Sequence, residues 1–179
     1  MNTTLKLTAL LLVAALYGCG SDGGGSGPVA DSYVFPAGTT TLTFTAMSTA
    51  KLPASISGID FTLNLPAGMT VTPNGATGAI ATTTVTPGMA LTGTNLAYGS
   101  YSASTRKAYL GMATTSASYR SGEFLRLACT VGTGTSITLA DLKTLNNPAT
   151  LVKAVGYDAA TDTTIQLTDK VRVTIGANK

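Results

Sequence analysis

The residues that could do chemistry in this chain are few, and the missing types exclude several mechanisms. The 179 residues contain no His and no Trp, with 8 Asp and Glu against 11 Lys and Arg. Without His, the chain holds no Ser-His-Asp triad, no Cys-His pair and no His-ligated zinc. Charged residues make up 11% of the chain, against about 25% in an ordinary soluble domain. The net charge of +3 is too small for a nucleic-acid footprint, so we predict no nucleic-acid partner.

The carboxylates are the remaining candidates for catalysis. A glycosidase needs two carboxylates that face one bond, but Glu123 is the single Glu and most acids lie next to turns. A hydrolase is therefore the least favoured function, and we predict that the protein is not an enzyme. The sequence shows no nucleotide, haem or flavin signature, so no organic cofactor is predicted.

Asp158 and Asp162 are weak candidates for a metal site. They lie in a polar loop whose oxygens suit Ca²⁺, a hard cation that takes carboxylate and carbonyl ligands. The loop lacks the spacing and the central Gly of an EF-hand. A solvated hairpin loop with side-chain hydrogen bonds to its own backbone is the competing interpretation, and we predict no metal.

Tyrosines are the candidate ligand contacts. Tyr98 and Tyr101 flank a Gly-Ser pair. Aromatic rings stack on the C–H faces of sugars and a polar loop supplies hydrogen bonds, so the segment predicts a glycan-binding platform in a loop. The competing interpretation places these tyrosines on the rim of the fold with their hydroxyls in water. Tyr119 and Arg120 form a second, weaker candidate of the same kind.

The elements that must position these residues are β-strands. Apolar residues alternate with polar ones through most of the chain after Pro28, and the β-branched Thr suits the outward faces. The clearest alternating runs are residues 41–46, 59–65, 108–112, 125–131, 151–155 and 171–175. Clusters of Pro, Gly and Asn separate these runs, which is typical of one antiparallel sandwich or barrel.

One segment departs from the alternation. Residues 138–145 place Leu139, Leu142 and Leu145 at a spacing that predicts a short helical turn with one apolar face. Cys129 lies on the apolar side of its alternating run, which favours a small buried thiol over a reactive one.

The start of the chain has the pattern of an export signal. Lys6 precedes an apolar run over residues 7–16, the length of a signal-peptide core and short of the roughly 20 residues that span a bilayer. Residues 16–19, Leu-Tyr-Gly-Cys, resemble the lipobox of bacterial lipoproteins. The resemblance implies cleavage before Cys19, a diacylglycerol on its sulfur and an acyl chain on its new amine, so the membrane is a partner through this anchor.

This resemblance sets the predicted domain organisation. Residues 1–18 are the signal peptide, residues 19–29 a lipid-anchored Gly/Ser-rich tether, and residues 30–179 a β-sandwich domain. Gly20, in place of Asp, implies the outer membrane if the source is Gram-negative. If Cys19 carries no lipid, a disulfide between Cys19 and Cys129 is the alternative.

The body of the chain resembles a cohesin-type domain. Residues 57–71 look like its opening strand and Pro-containing turn, and residues 122–127 look like the strand that follows a turn glycine. Residues 136–142 and the tail at 155–158, 165–167 and 170–173 are similar to its later strands and closing hairpin. The resemblance implies a jelly-roll sandwich of about nine strands without catalysis. Cohesins bind dockerin domains, and the related carbohydrate-binding modules bind polysaccharides.

Together these patterns predict a non-catalytic lipoprotein of the cell envelope. Its β-sandwich is expected to bind a polysaccharide, or an envelope or extracellular protein, at the surface. The alternative function is a structural subunit of a surface assembly, because low charge and many strands also suit packing against other copies.

Overall fold

The computed structural model describes residues 27–75 and 77–178. The predicted signal peptide, Cys19 and nearly all of the predicted tether lie outside these residues. The described chain forms twelve strands, one α-helix and one 3-10 turn. The strands are β1 (Gly38–Ser48), β2 (Ser55–Asn64), β3 (Met69–Thr70), β4 (Pro73–Asn74), β5 (Ala79–Ile80), β6 (Val85–Pro87), β7 (Asn95–Ser102), β8 (Lys107–Thr114), β9 (Gly122–Val131), β10 (Thr150–Asp158), β11 (Thr163–Gln166) and β12 (Val171–Ala177). The helix is α1 (Leu139–Leu145), and the 3-10 turn is Thr168–Lys170.

The strands form two antiparallel sheets. The five-stranded sheet has the order β12-β1-β9-β3, with β6 also paired with β9. The seven-stranded sheet has the order β11-β10-β2-β8-β7-β5-β4. The predicted all-β, antiparallel architecture is therefore confirmed. The structure has twelve strands, more than the predicted nine or so, because the connections between the long strands contain four short ones. These are β3, β4, β5 and β6, of two or three residues each. Runs this short carry no visible alternation in the sequence.

Alternating apolar residues bring the inner faces of the two sheets together. Phe61 of β2 contacts Phe44 of β1 with ring centroids 4.9 Å apart, and Phe124 of β9 with centroids 5.7 Å apart. Phe61 is completely buried, as are its neighbours on the same face of β2. Since burying a Phe side chain is worth roughly 1.5–3 kcal/mol, this aromatic cluster is a main source of cohesion between the sheets.

Helix α1 begins where its capping residues require. The Thr138 hydroxyl accepts from the Asp141 N–H at 3.1 Å, and the Asp141 carboxylate accepts from the Thr138 N–H at 2.9 Å. These two hydrogen bonds form a capping box. The Thr138 hydroxyl also lies 2.7 Å from Asp141 Oδ2, and hydrogen bonds to the carboxylate, first from this hydroxyl and then from the Thr138 N–H, lower the pKa of Asp141. Leu139 and Leu142 are buried as predicted, whereas Leu145 is half exposed because it lies in the last turn, at the surface.

Candidate functional site

Tyr98 and Tyr101, which the sequence analysis placed on one platform, both lie on strand β7 but on opposite faces of the sheet. The prediction of a loop is wrong, since residues 95–102 pair with β8 along their whole length. Side chains alternate between the faces of a strand, so residues three apart point to opposite sides. Tyr98 is 37% exposed on the outer face of the sheet, whereas Tyr101 points into the core and is 6% exposed. The Tyr101 hydroxyl is buried without a hydrogen-bond partner among the described residues.

Tyr98 is held flat against the sheet by its neighbours. In the strand register Tyr98 faces Gly111 of β8, and Gly111 in turn faces Asp60 of β2. The Tyr98 hydroxyl donates to Asp60 Oδ1 at 2.6 Å. Two strand spacings, about 9.6 Å, separate Tyr98 from Asp60, so the ring must lie across Gly111 to make this bond. A Cβ at Gly111 would collide with the ring, which explains why this position is a glycine.

Tyr109 completes an aromatic pair around Asp60. It lies on β8, two residues before Gly111 and on the same outer face, and is 38% exposed. Burial, followed by the Asp60 carboxylate, raises the pKa of both Tyr98 and Tyr109. Both phenols therefore keep their protons at physiological pH and act as hydrogen-bond donors.

Other exposed side chains of the seven-stranded sheet extend this surface. Lys153 of β10 faces Asp60, and Leu96 of β7 lies next to Tyr98 on the same side of its strand. Leu96 is 56% exposed. We call the set Asp60, Leu96, Tyr98, Tyr109, Gly111 and Lys153 the outer face. It combines one exposed aromatic platform, a second phenol, a carboxylate and an ammonium group.

Tyr119 and Arg120 do not join the outer face. Tyr119 is buried, and its hydroxyl donates to the Gly122 carbonyl at 2.9 Å. Arg120 Nη1 donates to the carbonyls of Leu52 and Ala54 at 2.9 and 3.2 Å. Arg120 thus ties the connection between β8 and β9 to the chain that enters β2, and Tyr119 closes the turn into β9, so both side chains have structural roles.

The loop with Asp158 and Asp162 is held by its own hydrogen bonds. Asp158 Oδ1 accepts from the Ala160 N–H at 2.9 Å, and Asp162 accepts from the hydroxyl of Tyr157. The bond to Asp162 raises the pKa of Tyr157. Among residues 27–75 and 77–178, no three His, Cys, Asp or Glu side chains come together in a metal-binding arrangement.

Cys129 is fully buried in β9 and forms no disulfide within the described chain. Burial raises the pKa of its thiol to about 12. The thiol is therefore protonated at physiological pH, which removes its nucleophilic form.

Five members of the outer face were missed by the sequence analysis: Asp60, Leu96, Tyr109, Gly111 and Lys153. Two of them carried a signal. Asp60 is a charged residue within the most regular alternating run, and Gly111 is a glycine in a strand interior, which often marks a close approach. No local pattern shows that three strands bring these residues into one row.

The sequence matches no protein-family model, and neither the curated proteins nor the solved structures contain a significant match. In the part of the chain that the structure describes, no helix has the length and apolar character needed to cross a membrane.

Proposed function

We propose that this chain is a cell-envelope lipoprotein whose cohesin-like, jelly-roll β-sandwich binds a neutral polysaccharide through the outer face. The single observation that carries the proposal is the Tyr98 ring, fixed across Gly111 by its hydrogen bond to Asp60 at 2.6 Å. Two ring carbons of Tyr98 lie over Gly111, and the residue remains 37% exposed.

This arrangement suits a sugar ring. The exposed side of an aromatic ring offers its π-face to the C–H groups of a pyranose, and the ring pays little entropy on binding because it is already held. The Tyr109 hydroxyl and the Asp60 carboxylate are the polar groups that would fix the orientation of sugar hydroxyls. Asp60 and Lys153 face each other across β2 and β10 and give the outer face no net charge, which favours a neutral ligand.

The test is affinity for a panel of neutral polysaccharides, measured with the chain from Pro28 onward. Losing one stacking contact is worth about 1 kcal/mol, so Tyr98→Ala is expected to weaken binding at least about fivefold. Tyr101→Phe is the matched control, because Tyr101 belongs to the core. Equal affinities in both variants, or no binding by the unaltered chain, would remove the proposal.

A protein partner on the same face is the second candidate, and a specific observation favours it. Leu96 and Tyr157 are exposed apolar side chains on the outside of the seven-stranded sheet, and stacking on sugars does not require Leu96. Leu96→Ser separates the two candidates. It is expected to leave glycan affinity unchanged, whereas a protein interface centred on this face would lose affinity.

The anchor is tested separately. Lipidation at Cys19 is expected to place the chain in the detergent phase after phase separation, and Cys19→Ala is expected to leave it in the aqueous phase. The mass of the amino-terminal peptide then identifies the attached acyl groups. An unmodified amino-terminal peptide would refute the anchor without affecting the glycan test.

A further inference from the structure

The five-stranded sheet ends in an open edge at β12. Among the described residues, β12 pairs with β1 on one side and with no strand on the other. On that second side, other described residues form backbone hydrogen bonds only with the carboxyl-terminal end of β12. Pro28 forms a bridge with Asn178, and the Val29 N–H donates to the Ala177 carbonyl at 3.1 Å. Residues 171–175 remain uncovered on that side. An edge of this kind is a template for a further strand.

The hydrogen bonds at the two ends of β12 show which groups face outward. The Lys170 carbonyl accepts from the Thr49 N–H at 2.9 Å, on the β1 side. The Ala177 carbonyl accepts from Val29, on the opposite side. Backbone groups alternate along a strand, so those of Val171, Val173 and Ile175 point away from β1. Within residues 27–75 and 77–178, none of these three residues has a hydrogen-bond partner on that side.

A groove runs along this edge, with a volume of about 530 Å³. One wall is β12 itself, and the other is the connection from α1 to β10, including Asn147 and Pro148. A strand rises about 3.3 Å per residue, so the five residues 171–175 of β12 present an edge roughly 17 Å long. One extended strand would lie along this edge at a distance of about 4.8 Å.

The lining of the groove defines the chemistry of its occupant. Ala149 and Leu151 make part of the lining apolar. Of the described residues that line it, Lys143 and Arg172 are the charged ones, and none is acidic. Lys143 already contacts Asp31 at 2.6 Å, whereas Arg172 forms no ion pair with any described residue. A carboxylate on the occupant would therefore be the complement of Arg172.

We propose that the β12 edge binds an extended, acidic peptide segment of another protein, which adds a sixth strand to the five-stranded sheet. The segment would carry apolar residues at alternate positions and a carboxylate near Arg172. This site is on the other sheet from the outer face and does not depend on glycan binding. A second copy of this chain is a poorer occupant, since its own β12 edge carries the same Arg172 and supplies no carboxylate.

The experiment uses the full chain in detergent and the peptide Ac-Glu-Val-Thr-Val-Glu-Val-Thr-NH₂, with backbone hydrogen exchange followed by NMR. Binding is expected to slow exchange at the amides of Val171, Val173 and Ile175 by at least about tenfold. The amides of Arg172 and Thr174 already face β1 and should not change. N-methylation of the peptide amides that face β12 should abolish binding. N-methylation of the alternate amides should leave it intact.

Charge reversal provides the second arm. Arg172→Glu is expected to lower affinity for the acidic peptide about tenfold and to raise affinity for the same peptide with Lys in place of Glu. Lys107→Glu makes the same charge change on the other sheet, at an exposed residue of β8 outside the outer face, and should have no effect. The thermal midpoint of each variant confirms that it is folded.

Three results would overturn the proposal. The first is unchanged hydrogen exchange at the amides of Val171, Val173 and Ile175 with both the Glu-containing peptide and its Lys-containing version. The second is equal weakening by Lys107→Glu, which would indicate attraction by net charge alone. The third is protection of the edge amides that rises with protein concentration in the absence of peptide, which would assign the edge to a second copy.

Discussion

Replacing Gly111 by Ala is the sharpest test of the outer face. A Cβ at this position would collide with two ring carbons of Tyr98 and with Asp60 Oδ1. The backbone of β8 is paired on both sides, with β2 and β7, and cannot move away. The Tyr98 ring must therefore lift from the sheet, and its hydrogen bond to Asp60 must break.

Two opposing effects set the change in stability. An alanine in a strand interior is favoured over glycine by roughly 0.5–1 kcal/mol, because glycine loses more conformational freedom on folding. A buried hydrogen bond to a charged group is worth about 1.5–3 kcal/mol, and screening by solvent at this partly exposed site reduces the expected loss to about 1 kcal/mol. The free energy of unfolding is therefore expected to change by less than about 1 kcal/mol.

The effect on binding is expected to be much larger than the effect on stability. The lifted ring no longer presents a fixed face, so glycan affinity should fall at least about fivefold, as for Tyr98→Ala. Urea unfolding and glycan affinity are measured on the same samples. A spectrophotometric titration should also show one tyrosine moving back towards its ordinary pKa of about 10.

Gly58→Ala is the matched control for this variant. Gly58 lies on β2, outside the aromatic row, and its Cβ would meet the Val155 side chain at 3.1 Å, which that side chain can accommodate. It is expected to retain both glycan affinity and the Tyr98 titration. Full glycan affinity in Gly111→Ala, with the Tyr98 titration restored to normal, would refute the claim that the fixed ring forms the site.

Three further outcomes follow from buried or capping groups. Tyr101→Phe removes a buried hydroxyl that has no described hydrogen-bond partner. Urea unfolding should therefore show a free energy of unfolding higher by about 1 kcal/mol, with unchanged glycan affinity. A lower free energy of unfolding would mean that the hydroxyl has a partner. Native Cys129, with its pKa raised to about 12, should resist a thiol reagent at mildly alkaline pH and react after denaturation, and rapid native labelling would contradict its burial. Because folding lowers the pKa of Asp141, its cap stabilises the fold fully above the ordinary carboxyl pKa of about 3.9. This stabilisation is lost as the pH falls through the lowered pKa. Thr138→Ala should reduce this acid sensitivity of the thermal midpoint, and an unchanged profile would contradict the role of the cap.

Much of the fold could be predicted from the sequence because its core residues obey a local rule. Alternation places Phe61 inside, and the same rule correctly buries Cys129. The capping residues Thr138 and Asp141 likewise act within one turn of chain, and the helix forms where its pattern indicates. The loop prediction around Tyr98 failed because Gly and Ser are weak strand formers, and pairing with β8 overrides that local preference.

The candidate site was less predictable because its members are distant in sequence. Asp60 and Tyr98 are 38 residues apart and share a hydrogen bond only because β8 lies between their strands. Tyr119 had the residue type of a ligand contact, but its place between the sheets was decided by packing. Side-chain type alone does not distinguish a buried tyrosine from an exposed one.

Local patterns in the amino-acid sequence are enough to predict the all-β class, the inward residues of the long strands and the position of the helix. The three-dimensional fold was needed to see that Tyr98, Gly111 and Asp60 form one row, that Tyr101 belongs to the core and that β12 has no partner strand on one side among the described residues. Alternation and capping can be read from the sequence because they act between near neighbours along the chain. Strand order and register depend on contacts between distant segments, which local propensities do not encode.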